Sequence, residues 1–283
     1  MAAERIAVIG AGTMGRGIAQ VCATADLPTA LHDVSREALR SGLEAIESSV
    51  DRGVDKGKIT PAARDALRAR LRGADTLAEA LAGATMVIEA APEQLELKQD
   101  LFRRIADFVD DDTLLGTNTS SLPVTGIAAA VPFPDRVVGL HFFNPVPAMD
   151  LVEIVRGLDT ADATITRAVA FARAIRKEPI VVRDSPGFAT SRLGVAIGLE
   201  AIRMLEGGVA SAEEIDRAME LGYRHPMGPL RLTDLVGLDV RLAIAEHLHR
   251  EIGEQFRPPS LLRTMVRGGR LGKKSGRGFY EWR

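Results

Sequence analysis

Cysteine is almost absent from this chain of 283 residues, and its scarcity limits the chemistry that the fold can use. Cys22 is the single cysteine, so no disulfide can form within the chain. It stands in an apolar helical stretch, where a buried thiol is the ordinary interpretation. This usage is typical of proteins in a reducing compartment, and we expect a cytoplasmic protein.

The sequence also lacks an excess of either charge and any long apolar run. Lys and Arg total 36 against 38 for Asp and Glu, which gives a formal net charge of −2, and neither half is strongly basic. We therefore expect no nucleic-acid partner. No apolar run reaches about 18 residues, and the N-terminus lacks the basic, apolar, small-residue order of a secretory signal. We expect neither a membrane span nor secretion, and no metal site.

Internal repeats and low-complexity linkers are missing too, and the length suits two domains of ordinary size. Up to residue 183, short apolar runs alternate with stretches of helical period, which predicts a mostly parallel sheet with helices on both faces. From residue 184 onward, nearly every segment has helical period. We therefore predict an α/β domain over residues 1–183 and an all-α domain over residues 184–283.

Two segments carry more specific expectations. Residues 51–73, rich in Arg and Lys, predict a helix-turn-helix arm in water. Asp184-Ser185-Pro186 supplies a cap and a first-turn proline for a helix at the start of the second domain. The predicted apolar stripe of that helix comprises Leu193, Ile197, Ile202 and Leu205.

A glycine motif lies at the end of the first predicted strand. The apolar run 6–9 leads into Gly10-Ala11-Gly12-Thr13-Met14-Gly15, and apolar residues then recur at helical spacing. G-x-G-x-x-G is a weak pattern alone, but between a strand and a helix it predicts a Rossmann-type dinucleotide site. Gly10 would make the turn, Gly12 would admit a pyrophosphate, and Gly15 would let helix and strand pack closely. The pyrophosphate would lie at the helix N-terminus, which favours an anion.

An acidic residue follows at the end of the second predicted strand. Asp33 stands eighteen residues after Gly15, where a carboxylate can accept from both ribose hydroxyls and would repel a 2′-phosphate. NAD is therefore the expected cofactor. Arg36 lies close enough in sequence to keep NADP as an alternative cofactor. A second alternative is that no ligand binds here, the glycines forming only a turn and Asp33 only capping the next helix.

Polar residues follow a later strand. Thr117-Asn118-Thr119-Ser120-Ser121 comes at the carboxyl end of a predicted strand, where open α/β sheets bind ligands. Taken alone, such a row is more typical of an elaborate turn. His141 lies among apolar neighbours, and a lone histidine there is usually a core residue.

The spacing around Pro147 changes the interpretation of His141. Residues 144–148 break two strand-like runs, and a turn centred near Pro147 would pair residues whose numbers add to 294. His141 and Glu153 form such a pair. If the two strands are neighbours, Glu153 can fix the tautomer of His141 and raise its basicity. On spacing alone, the alternative is that His141 and Glu153 are unrelated.

Together these residues resemble the 3-hydroxyacyl-CoA dehydrogenase family, and in particular its short single-chain members. The resemblance runs from Ile6 to Tyr280, and its most specific part is the histidine string with Glu153 twelve residues after its histidine. The strings are Gly-Ala-Gly-Thr-Met-Gly at 10–15, Thr-Asn-Thr-Ser-Ser-Leu at 117–122, His-Phe-Phe-Asn-Pro at 141–145, Asp-Ser-Pro-Gly-Phe at 184–188, and Gly-Lys-Lys-Ser-Gly-Arg-Gly-Phe-Tyr at 272–280.

The resemblance implies roles for individual residues. His141 would be the general base that removes the proton of the 3-hydroxyl, Glu153 would orient it, and Ser120 would hydrogen bond to the substrate. Arg52 and Lys56 would contact CoA phosphates, with a solvated charged face as the alternative. Positions implied to contact NAD are Gly10, Gly12, Thr13, Met14, Gly15, Asp33, Glu93, Lys98, Asn118, Asn144 and Lys274.

One position departs from the family pattern. Family members carry a substrate-contacting asparagine in the helix after Asp-Ser-Pro-Gly-Phe, and here that position is Ser191. Serine keeps a hydroxyl but loses reach and the second amide group. Either substrate binding differs or activity is lower.

The expected activity is NAD-dependent interconversion of 3-hydroxyacyl-CoA and 3-oxoacyl-CoA, with a short acyl chain such as 3-hydroxybutyryl. The resemblance also implies a homodimer through the helical domain. Two alternatives remain. One is a dehydrogenase of another hydroxy substrate, such as 3-hydroxyadipyl-CoA or a free hydroxy acid. The other is a non-catalytic NAD-binding module, because a fold alone does not establish activity.

Overall fold

The computed structural model describes residues 4–282, which divide into two compact units, one before and one after the boundary between Asp184 and Ser185. Each unit has a hydrophobic core of its own. The first unit is built on a sheet and the second is helical, so the predicted fold class is confirmed. Among the helices of residues 4–282, none combines the length and the apolar character that crossing a bilayer requires.

The described part of the first unit contains one eight-stranded sheet in the order β3-β2-β1-β4-β5-β6-β7-β8. Neighbouring strands are parallel except for β6 and β7, which are antiparallel, and β8 runs parallel to β7. The strands are β1 Ile6–Ile9, β2 Thr29–His32, β3 Leu71–Ala74, β4 Met86–Glu89, β5 Leu114–Thr117, β6 Val137–Phe142, β7 Leu151–Arg156 and β8 Glu178–Arg183.

Helices cover the sheet because its central strands are apolar on both faces. Every residue of β1, β2, β4, β5 and β6 is buried. Such continuous apolar runs are typical of parallel strands enclosed between two helical layers. The helices of this unit are α1 Thr13–Thr24, α2 Arg36–Asp55, α3 Pro61–Arg70, α4 Leu77–Leu81, α5 Leu95–Ala106, α6 Val124–Ala128 and α7 Asp162–Ala174.

The arm predicted over residues 51–73 is only partly right. α2 continues to Asp55, and α3 starts at Pro61 behind a Thr60 side chain that accepts from the backbone N–H of Ala63. Residues 71–73, however, belong to β3, the edge strand that pairs with β2. In this strand, Leu-Arg-Gly-Ala, only the last residue is buried, so apolar and polar residues do not alternate between a buried and an exposed face. An edge strand held mainly by backbone pairing gives little sequence signal.

The second unit contains α8 Thr190–Glu206, α9 Ala212–Gly222, α10 Pro229–Val236, α11 Leu238–Glu251 and α12 Ser260–Arg267. The predicted start of its first helix is wrong. Asp184 accepts from the backbone N–H of Thr125 instead of capping a helix, and α8 begins at Thr190.

The predicted stripe is also wrong in part. Leu193 and Ile197 are 63% and 38% exposed, whereas Val195, Leu199 and Ile202 are buried. The helix carries two apolar stripes of the same period, and periodicity alone does not tell which one faces the core.

A buried carboxylate fastens the C-terminal residues to the helical core. Asp234 on α10 is fully buried and accepts from the backbone N–H groups of Phe279 and Tyr280, at 2.9 Å each. It also accepts from Nε1 of Trp282 at 2.8 Å. Three donors on one buried carboxylate hold residues 279–282 in place.

We predict that Asp234→Ala lowers the free energy of unfolding of the second unit by roughly 3 kcal/mol, because three donors lose their acceptor. Trp282 is the only tryptophan, so its fluorescence during urea unfolding reports on this region. The exposed Glu251→Ala on α11 is the control and should change the value by less than about 0.5 kcal/mol. Equal unfolding midpoints for the two variants would contradict the structural role of Asp234.

Candidate active site

The glycine turn joins β1 to α1 and has the shape that a dinucleotide needs. Gly10 has a φ of +107°, and an added Cβ there would lie 2.6 Å from the Ala90 carbonyl oxygen. A Cβ on Gly15 would lie 1.7 Å from the carbonyl oxygen of Gly10, so helix and turn touch at this point. A Cβ on Gly12 would meet nothing within 4 Å. Gly12 thus borders open space at the N-terminus of α1, where anions are favoured.

Asp33 lies beside this turn at the end of β2. One carboxylate oxygen accepts from the backbone N–H of Ala11 at 2.8 Å, and the other accepts from Ser35 at 2.9 Å. These bonds orient the carboxylate, while each oxygen keeps a lone pair for a ribose hydroxyl. The next residue, Val34, is 93% exposed.

These features fit NAD. The turn gives a pyrophosphate room at Gly12, and Asp33 gives the ribose an acceptor. Of the other residues implied to contact it, Thr13 lies in the first turn of α1, and Met14 is half-buried against the core. The unit therefore has the donor and acceptor set of an NAD site.

His141 and Glu153 lie opposite one another on β6 and β7. Nδ1 of His141 is 2.6 Å from Oε2 of Glu153, and the two residues are 6% and 0% exposed. The predicted pairing of these residues is confirmed. Because a carboxylate oxygen only accepts, the bond places a proton on Nδ1 of His141. The ring of Phe143 packs at 4.5 Å from that of His141.

Glu93 organises the polar loop after β5. Its Oε1 accepts from the Thr119 hydroxyl at 2.7 Å and from the backbone N–H of Ser120 at 2.8 Å. The Ser120 hydroxyl is 3.2 Å from the same oxygen, and Ser121 adds a further backbone donor at 3.1 Å. Burial raises the pKa of Glu93, but the Lys98 ammonium and these donors outweigh it and hold the pKa below its ordinary value. The loop is therefore built around an ionised carboxylate.

A buried ion pair lies beneath this loop. Nζ of Lys98, 1% exposed, donates to Oε1 of Glu89 at 2.6 Å and lies 3.5 Å from Oε2 of Glu93. Glu89 is fully buried and also accepts from Thr117 and from the backbone of Ala91. Lys98 thus connects the sheet to Glu93 from below. The sequence gives no signal for Glu89, because a single carboxylate at the end of an apolar strand is not distinguished from a residue of the following loop.

The two asparagines lie after neighbouring strands. Oδ1 of Asn118 accepts from the backbone N–H of Phe142 at 2.9 Å, which ties the loop after β5 to the end of β6. Asn144 follows β6, its bond to Pro145 is cis, and it lines a cleft of about 400 Å³. Thr13, Arg16, Ser49 and Arg52 also line this cleft.

Lys177 holds the loop that carries Asn144, and sequence reasoning missed it. Its Nζ donates to the carbonyl oxygens of Val146 at 2.8 Å and Met149 at 2.7 Å. Burial lowers the pKa of this lysine, and the charge of Asp150 offsets part of that effect. A charged donor buried under a loop fixes the carbonyl groups that face it.

The remaining predicted residues are distributed over both units. Lys56 follows the last turn of α2, one turn after Arg52. Ser191 lies in the first turn of α8. Lys274 forms an ion pair of 2.6 Å with Asp239 within the second unit. The predicted residues that belong to the first unit lie on the strands of its sheet or on the loops and helices that adjoin them. They are Gly10–Gly15, Asp33, Glu93, Lys98, Asn118, Ser120, Asn144, His141 and Glu153.

Comparison with known proteins agrees with this geometry. Residues 5–185 match the family model of the NAD binding domain of 3-hydroxyacyl-CoA dehydrogenase, and residues 187–282 match that of its C-terminal domain. The chain belongs to the 3-hydroxyacyl-CoA dehydrogenase family. The N-terminal domain of this family binds NAD, so NAD is the cofactor, and the chain is an oxidoreductase.

Individual relatives span the chain from end to end. A probable 3-hydroxybutyryl-CoA dehydrogenase of Bacillus subtilis is 44% identical over 100% of this chain and 98% of its own length. The crystal structure of (S)-3-hydroxybutyryl-CoA dehydrogenase from Ralstonia eutropha covers 100% of both chains with a TM-score of 0.95 and 42% identity. A 3-hydroxyadipyl-CoA dehydrogenase of Escherichia coli is 43% identical over 99% of this chain and 59% of its own length.

Two glycine substitutions separate packing from cofactor binding. Gly15→Ala should lower the free energy of unfolding by about 2 kcal/mol or more, since its methyl group would overlap the Gly10 carbonyl. Gly12→Ala should leave stability nearly unchanged, because its methyl group would meet no protein atom within 4 Å. The methyl group would instead occupy space assigned to the pyrophosphate and hold it away from the backbone N–H groups. NADH binding should weaken about tenfold or more, because a charge-assisted hydrogen bond is worth about 1.5–3 kcal/mol. Thermal melts and fluorescence titration with NADH measure the two effects. Full NADH affinity in Gly12→Ala would place the pyrophosphate elsewhere.

Proposed function

We propose that this protein catalyses the NAD-linked interconversion of 3-hydroxyacyl-CoA and 3-oxoacyl-CoA with a short acyl chain such as 3-hydroxybutyryl. The observation that carries the proposal is the buried hydrogen bond between His141 and Glu153, on strands that follow the NAD turn in the same sheet. The family and the names of the relatives support the same reaction. A hydroxyl next to a hydride acceptor needs one base, and this pair supplies it.

His141 and Glu153 handle the proton in this mechanism. Nε2 of His141 removes the proton of the 3-hydroxyl in the oxidation and returns it in the reduction. Glu153 holds Nδ1–H and stabilises the imidazolium that forms, as the carboxylate does in other histidine–carboxylate pairs. The turn at Gly10–Gly15 and Asp33 would hold NAD, which would supply the hydride acceptor for C3.

The serine loop positions the substrate oxygen. Glu93 fixes the backbone and the hydroxyl of Ser120, and Ser120 in turn hydrogen bonds to the substrate. Asn118 bonds to the backbone after His141 and so keeps the loop in register with the base. We propose that Lys98 acts through Glu93, because its ammonium is buried beneath it.

The cleft beside α1 and α2 supports a CoA thioester as the substrate. It is lined by two arginines, Arg16 and Arg52, together with Ser48 and Ser49. Guanidinium groups and hydroxyls are the usual ligands of phosphates. Lys56, the residue that caps the C-terminus of α2, adds a cation four residues after Arg52. We assign Arg52 and Lys56 to the CoA phosphates, Asn144 and Lys274 to the cofactor, and Ser191 to the substrate.

We also propose a homodimer through the helical unit, in the cytoplasm. Apolar side chains on α8, α10 and α11 are exposed in a single chain. A second copy of the same surface would cover them. They are Leu193, Ile197, Leu232, Leu235, Val236 and Val240. The single buried Cys22 agrees with a reducing compartment.

His141→Ala should lower turnover about 100-fold or more, because the base is lost, while NADH binding stays nearly unchanged. Steady-state kinetics and an NADH titration measure the two effects. His249→Ala in the second unit, a histidine that bonds to Glu254, is the matched control and should keep wild-type turnover. Near-normal turnover in His141→Ala would remove the histidine from the mechanism.

The reaction itself is tested by the loss of NADH absorbance when the protein meets acetoacetyl-CoA. Parallel runs use acetoacetate without CoA, and NADPH in place of NADH. We expect fast reduction only with the thioester and with NADH, since the cleft supplies cations for CoA and Asp33 repels a 2′-phosphate. Equal rates with acetoacetate would point to a free hydroxy acid, and binding of NADH without turnover would point to a non-catalytic module.

A further inference from the structure

The loop between β6 and β7 is held in place by few of its own side chains. Of residues 144–150, only Val146 is buried, at 2% exposed, and the others lie at the surface. The carbonyl oxygen of Pro145 accepts from the backbone N–H groups of Ala148 and Met149, which closes a turn. These bonds shape the loop but do not attach it to the neighbouring elements.

Val146 and Lys177 attach the loop to its surroundings. A Cβ added to Gly17 of α1 would lie 2.9 Å from Cβ of Val146, so this side chain packs directly against the helix. Nζ of Lys177, the residue before β8, donates to the carbonyl oxygens of Val146 at 2.8 Å and Met149 at 2.7 Å. The lysine is 7% exposed, so these bonds are shielded from water and strengthened.

Both carbonyl oxygens that accept from this ammonium group belong to the same loop. Removal of an ammonium group from water is costly unless acceptors replace the water molecules that it loses. The backbone of the loop supplies such acceptors, and in return it receives charge-assisted bonds, which are about twice as strong as bonds between neutral groups. Lys177 and the loop therefore fix one another's position.

The loop in turn forms a wall of the cleft that is assigned to CoA. Residues 144–148 line this cleft of about 400 Å³, together with Ser49 and Arg52 of α2. Val146 both lines the cleft and accepts from Lys177, so a shift of the loop changes the shape of the cleft directly. A buried lysine whose ammonium group is bonded to the loop acts on CoA only through that loop.

We propose that Lys177 is a positioning residue for the CoA part of the substrate, and that it acts by holding the carbonyl oxygens of Val146 and Met149. The inference rests on the proposed function, which assigns this cleft to CoA. Without the ammonium group, the two carbonyl oxygens lose their donor, and the exposed loop shifts to satisfy them with water. The nucleotide of CoA then loses contacts, whereas the acyl group that reacts at His141 keeps its own.

The test compares two substrates with the same acetoacetyl group, acetoacetyl-CoA and acetoacetyl-N-acetylcysteamine, of which the second lacks every phosphate of CoA. Both are reduced at saturating NADH, so that cofactor affinity does not contribute. We expect Lys177→Met to raise KM for acetoacetyl-CoA. The ratio of kcat/KM for acetoacetyl-CoA to that for the short thioester should fall about tenfold or more, the effect of losing one polar contact.

The ratio separates positioning from a loss of stability. A variant that is merely less stable contains less active enzyme, which lowers both kcat/KM values alike and leaves their ratio unchanged. Arg173→Met replaces an exposed arginine in the last turn of α7 and is the matched control. It should keep the wild-type ratio.

An unchanged ratio in Lys177→Met would overturn the proposal. If that variant does not fold, Lys177→Gln, which keeps an uncharged donor, decides in the same way: a lower ratio supports the proposal and an unchanged one overturns it. Equal kcat/KM values for the two substrates in the wild type would contradict the assignment of the cleft to CoA, and the inference with it, but leave the reaction intact. Reduction of neither substrate would overturn the proposed function as well.

Discussion

The antiparallel pairing of β6 with β7 is the constraint on which the candidate site depends. The strands before β6 are parallel, so their loops emerge at one edge of the sheet. The chain reverses after Phe142, and β7 returns beside β6 with His141 opposite Glu153. Side chains on opposite residues of such a pair share one face, and a slip by one residue would move Glu153 to the other face. The register itself therefore creates the histidine–carboxylate pair.

Buried charge supports the loops around that pair. Glu89 and Lys98 neutralise one another in the interior, and Lys98 in turn stabilises the ionised Glu93 that shapes the Ser120 loop. Lys177 likewise supports a loop, the one that carries Asn144, by donating to the carbonyl oxygens of Val146 and Met149. Burial excludes water from these groups and strengthens their interactions. Their cost is offset by partners within the chain.

Much of this architecture could be predicted from the sequence because the signals are local. The glycine spacing needs only a strand before it and a helix after it, and the position of Asp33 follows from the length of one helix and one strand. To predict the pairing of His141 with Glu153, it was enough to know where the turn between their strands is centred. These features depend on short stretches of chain, whose geometry residue types largely determine.

The rest depends on which surfaces meet. β3 is an edge strand of Leu-Arg-Gly-Ala and has no pattern until β2 is beside it. α8 carries two apolar stripes, and tertiary packing buries the one with Val195, Leu199 and Ile202. Glu93 becomes the centre of the serine loop only when β4 and β5 are neighbours.

The most direct test of this account is the protonation of the His141 ring, measured by NMR of protein labelled with ¹⁵N in histidine and assigned with His141→Gln. We predict a proton on Nδ1 and none on Nε2 when the ring is neutral, because Glu153 accepts from Nδ1 at 2.6 Å. Glu153→Gln should weaken that preference. A neutral ring with its proton on Nε2 in the wild-type protein would contradict the orientation of the base and with it the proposed mechanism.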